Sequence, residues 1–71
     1  MTHKFPPFPK LSAEEAKFLK DMIEHHKMAI VMAREVLKTT KDNDIMFLAY
    51  SIMQSQMNEI ALMQQILGQR K

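Results

Sequence analysis

The chain contains no cysteine, no tryptophan and a single glycine. Without cysteine there are no disulfide frameworks, thiolate zinc sites or iron–sulfur clusters, and only imidazole, carboxylate and thioether groups remain as metal ligands. One glycine excludes a glycine-rich phosphate loop, and no H-E-x-x-H stretch of the zinc-hydrolase type is present. No apolar run approaches the ~20 residues of a membrane span and no signal-peptide core opens the chain, so it is expected to be soluble and, as written, cytoplasmic. An excess of one charge is missing too. The net charge is +2 over 71 residues, and Glu14, Glu15, Glu24 and Glu35 intersperse the basic side chains, so no nucleic-acid footprint emerges. Lys20, Lys27, Arg34 and Lys38 share one helical side and read as a solvated face.

What is present is apolar and rich in methionine: 46% hydrophobic residues, with eight methionines. A core of this size supplies only ~3–5 kcal/mol, so with disulfides excluded, a metal or a partner chain is expected to add the rest.

Three prolines in Phe5-Pro6-Pro7-Phe8-Pro9 forbid helix and predict an extended arm over residues 1–11, with Phe5 and Phe8 folding it back onto the helices. His3, near the amino terminus, is a further weak chelator for Cu(II). Ser12 followed by Glu15 reads as a capping box ahead of a periodic apolar pattern, which predicts a first helix over about 13–38. Thr39-Thr40-Lys41-Asp42 breaks the period, and Asp42 can cap a second helix over about 43–67. Gly68 is expected as its left-handed stop, closing a hairpin over 12–68 and leaving 69–71 as a tail. So short a connection makes the helices antiparallel neighbours, in an all-α fold.

The first helix carries two seams with four-three spacing: Phe18, Met22, His25, Ala29, Met32, Val36, and beside them Leu19, Ile23, His26, Ile30, Ala33, Leu37. The second repeats the pattern with Ile45, Ala49, Ile52, Gln56, Glu59, Met63 and Ile66, flanked by Met46, Met53, Ile60 and Leu67. One neighbour cannot cover two seams, so the hairpin is expected to pair with a second copy, as a homodimer or higher homo-oligomer forming a four-helix bundle.

His25, His26, Gln56 and Glu59 break the apolar pattern from inside it. With the turn centred near 40–41, His25 and His26 fall level with Gln56 and Met57, and Glu59 falls level with Met22. Two readings follow. In the first, His26 meets Gln56 or Glu59 in a buried hydrogen-bond network that sets register, and the protein is a metal-independent interaction module. In the second, the layer is a metal site: Met22, Met28 and Met32 form a ladder of soft donors beside His25, and Met57 and Met63 offer more from the second helix. Imidazole with thioether suits copper, Cu(I) above all, and the expected role is sequestration. No catalysis is expected: a di-iron oxidase needs Glu-x-x-His, but Met22 and Ile23 stand three residues before His25 and His26.

The run Phe18-x-x-x-Met22-Ile23-x-His25-His26-x-x-Ala29-x-x-Met32-Ala33, with Leu48-Ala49-x-x-Ile52-x-x-x-Gln56-x-x-Glu59-Ile60-x-x-Met63-x-x-x-Leu67, resembles domain-of-unknown-function family 305, small bacterial helical proteins. The resemblance implies a ferritin-like helical bundle, usually exported or periplasmic, with some members binding copper and contributing to copper resistance. It also gives His25, His26, Met22, Met32, Glu59 and Met63 a ligand role.

Overall fold

The computed structural model describes residues 9–71, so the expected arm contacts of Phe5 and Phe8 and the chelating role of His3 lie outside the described residues. Two helices make up the fold, α1 (Ala13–Leu37) and α2 (Asn43–Gln69), and the described residues form no strand. Each helix begins where its side chains satisfy otherwise unpaired amides. The Ser12 hydroxyl accepts the Glu15 amide at 3.1 Å, and the Glu15 carboxylate accepts the Ser12 amide at 2.9 Å. That second bond, chiefly, holds the Glu15 carboxyl below its ordinary pKa. At α2, the Asp42 carboxylate accepts the Ile45 amide at 2.9 Å. Between the helices the Thr40 amide donates to the Val36 carbonyl, and the Asp42 amide donates to the Thr40 hydroxyl.

The far end differs from expectation. Among the described residues none, Gly68 included, adopts positive φ, and α2 runs through the glycine to Gln69. The cause lies in the opposite terminus. The Arg70 carbonyl accepts the Leu11 amide at 2.9 Å, its guanidinium Nε donates to the Pro9 carbonyl at 2.8 Å, and its own amide caps Ile66. These bonds clasp the last turn to the chain entering α1, so a left-handed stop is not needed.

Packing separates the two seams of α1. Leu19, Ile23, Ile30 and Ala33 are buried, so this seam faces α2, which buries Ala49 and Met63. Leu19, Ile23 and Met63 form the core cluster, with Leu11, Met22, Ile60, Ile66 and Leu67 packed against it. The other seam stays open: Phe18, Met32 and Val36 are exposed. With Ile45, Leu48 and Ile52 of α2, this seam's turn-proximal half lines a wholly apolar groove of about 300 Å³. No helix among the described residues is long and apolar enough to cross a membrane.

Candidate functional site

His26 occupies a seam position between the buried Ile23 and Ile30, so packing carries its ring into the hairpin interface. Its side chain is 15% exposed, and Nε2 lies 2.5 Å from Glu59 Oε1 on α2. Glu59 sits nearly a turn farther from the hairpin bend than the level expected for His26. Side-chain direction explains the offset. Every Cα–Cβ bond tilts toward its helix's N-terminus, so in an antiparallel pair His26 leans away from the bend while Glu59 leans toward it, and the two meet midway.

The contact has a chemical consequence. A proton must lie between the two atoms, and with Glu59 ionised the ring carries it on Nε2, which in a neutral imidazole leaves Nδ1 as a bare lone pair. Nδ1 is buried and has no hydrogen-bond partner among the described residues. A polar atom left so costs ~1–3 kcal/mol, a large share of what a small domain has. Glu59 is 57% exposed, and Oε2 makes no hydrogen bond among the described residues.

Thioethers flank this pair on the side away from the bend. Met22 stands four residues before His26 and Met63 four after Glu59, each one turn from its polar neighbour on the same helical face. Met63 is 8% exposed within the core cluster, and Met22 packs half-buried against that cluster. The other expected ligands stand apart. His25 is exposed and lines a shallow hollow with Phe18, Asp21 and Met22, while Met28 and Met32 are 65% and 69% exposed. Half-buried Gln56 makes no hydrogen bond among the described residues. Asp21, which the sequence reading did not single out, is engaged by Lys17 at 2.6 Å; this bond raises the Lys17 pKa, and the i,i+4 spacing of the two residues was its signal. Among the described residues no three His, Asp or Glu side chains gather into a metal-binding group.

A family model described as a domain of unknown function, DUF305, matches residues 10–67. A protein of Acanthamoeba polyphaga mimivirus, itself described only as uncharacterized, is 45% identical over 58 residues, which is 82% of this chain and 38% of the viral protein. The chain thus spans well under half the length of that relative. No solved structure matches.

Proposed function

The chain belongs to the DUF305 family, and we propose that it sequesters a soft metal ion, copper as Cu(I), in the layer where its two helices exchange the His26–Glu59 contact. The observation that carries the reading is the buried Nδ1 of His26, which has no partner among the described residues. Glu59, holding Nε2, fixes the tautomer and ring orientation as carboxylates commonly do behind metal-bound histidines. The ion would sit on Nδ1 with the thioethers of Met22 and Met63, a neutral and soft donor set that suits Cu(I) and poorly suits Mg²⁺ or Ca²⁺. A partly dry position limits redox cycling of the bound ion. His25, Met28 and Met32 fall outside this centre, on the outer surface of the hairpin.

The same reading includes pairing of two hairpins into a four-helix bundle, supported by the open seam. A 25-residue helix is ~37 Å long and two helices lie ~20 Å wide, a footprint of roughly 700 Å², close to the ~800 Å² per partner of a stable interface. The opposite groove is rimmed by Lys27 and Arg34, which favours the apolar side as the paired one.

An anaerobic Cu(I) titration against a chromogenic chelator tests the metal reading. Uptake of one ion per chain is expected, weakened tenfold or more (~1.4 kcal/mol or above) in His26→Ala and in Met22→Leu/Met63→Leu. A second reading has its own observation: the direct His26–Glu59 contact joins the two helices through protein groups alone, as in a polar network that sets register in a metal-independent homo-oligomeric module. Failure of the natural protein to compete for Cu(I) would establish that reading instead.

A further inference from the structure

The open seam is not apolar throughout. Met32 and Ile52 line its groove, and one heptad farther from the bend the same two stripes carry His25 on α1 and Glu59 on α2, since residues seven apart return to one face. Each chain therefore presents, side by side along one face, an apolar half near the bend and then a polar layer containing an exposed imidazole and an exposed carboxylate. Glu59 Oε1 is already held by His26, which leaves Oε2 for this face.

A second copy has two ways to cover the face. His25 stands at the midpoint of α1, twelve residues from Ala13 and from Leu37. A two-fold perpendicular to the helices runs the copies head to tail and, passing through the middle of the hairpin, maps this level onto itself. A two-fold parallel to the helices keeps both bends at one end and also sets polar layer against polar layer. Under either axis the polar groups of the two copies face one another. The parallel axis places α1 against the partner's α2, so the lean that joins His26 to its own Glu59 carries His25 toward the partner's Glu59.

We propose that the paired hairpins bind a divalent ion of borderline character, Zn²⁺ as the probe, on this two-fold axis. Its ligands are His25 and Glu59 of one copy with the partner's His25 and the partner's Glu59. Two imidazole nitrogens and two carboxylate oxygens are a donor set such an ion takes in four-coordinate sites, and His26 behind each carboxylate orients it. One chain supplies only half of the ligands, so the site does not exist in the lone hairpin, consistent with the lack of a three-residue His/Asp/Glu group among the described residues. The proposal rests on the pairing of hairpins described above and not on the Cu(I) centre, from which it differs in ion, ligands and stoichiometry.

Sedimentation equilibrium of the full chain with and without Zn²⁺, together with a Zn²⁺ titration, tests it. The expected result is a dimer that binds one Zn²⁺ per two chains and whose dissociation constant falls about tenfold or more with the ion present, because the ion binds only the paired state. His25→Ala should dimerise without Zn²⁺, lose the uptake and keep its Cu(I) uptake; the residue is exposed in the hairpin, and circular dichroism confirms that the variant remains helical. His3→Ala should retain Zn²⁺ uptake, which separates the axial site from chelation at the amino terminus. A dimer that takes up no Zn²⁺, or takes it up equally in His25→Ala, overturns the axial site and leaves pairing intact. A monomer under all conditions overturns pairing and the axial site together.

Discussion

Replacing Met32 with lysine separates a lone hairpin from a paired one. In the hairpin this side chain is 69% exposed, and methionine and lysine have nearly equal helix propensities, so the substitution alone should change hairpin stability by no more than about 0.5 kcal/mol. Pairing changes the magnitude. Full burial of a methionine side chain contributes ~1.5–3 kcal/mol, and about two thirds of that is still available at this position, or ~1–2 kcal/mol per copy. A two-fold doubles it to ~2–4 kcal/mol, before the cost of desolvating two ammonium groups. The dimer should therefore weaken by roughly 30- to 700-fold. Sedimentation equilibrium over a range of protein concentrations reads the effect, and thermal melts by circular dichroism should lose their concentration dependence. Val31→Lys is the control: it sits on the opposite flank with Ile30, Arg34 and Met57 and should leave the association unchanged. If Met32→Lys has the mass distribution and melting behaviour of the natural protein, the open seam is not an interface.

Met63→Ala should destabilise the hairpin by about 2–5 kcal/mol, because Met63 joins Leu19 and Ile23 in the buried cluster; Met63→Leu should fold normally by urea denaturation and yet lose Cu(I) affinity. Ser12→Ala removes one side of the capping box and should cost about 1 kcal/mol, read as a lower urea midpoint. Glu15 links this cap to pH: its folded pKa lies below the ordinary value of 4.5, so its contribution is complete above that value and disappears as pH falls through the folded pKa. An acid titration of the urea midpoint should show a smaller fall below pH 4.5 in Glu15→Gln than in the natural protein. Glu59→Gln keeps an acceptor for His26 but lacks a negative charge, so Cu(I) uptake should fall less than in His26→Ala while Zn²⁺ uptake is lost.

The hairpin was legible because its signals are local. Ser12 with Glu15, and Asp42 with Ile45, mark helix starts by side chains that reach three residues along the chain, and both caps form as read. The two seams of α1 were legible as a period, and one neighbour does cover one seam and leave the other. Which seam turns inward is not a property of α1 alone, because it depends on where α2 places Ala49 and Met63. Gly68 was misread for a related reason: a left-handed stop is the local solution, whereas the clasp of Arg70 by Pro9 and Leu11 comes from the other end of the chain. The contact of His26 with Glu59 was one of two pairings the sequence left open, and His26 takes it instead of Gln56 because the lean of the side chains, which counting levels from the bend leaves out, brings Glu59 into reach.

The proposed centre puts copper on Nδ1 of His26 between two thioethers. X-ray absorption at the copper edge of the anaerobically loaded protein tests it most directly, since sulfur and nitrogen scatter distinguishably. A Cu(I) edge with both sulfur and nitrogen neighbours is expected, the sulfur contribution vanishing in Met22→Leu/Met63→Leu and the imidazole contribution in His26→Ala. A centre with nitrogen and oxygen neighbours alone, unchanged by the methionine substitutions, would contradict it.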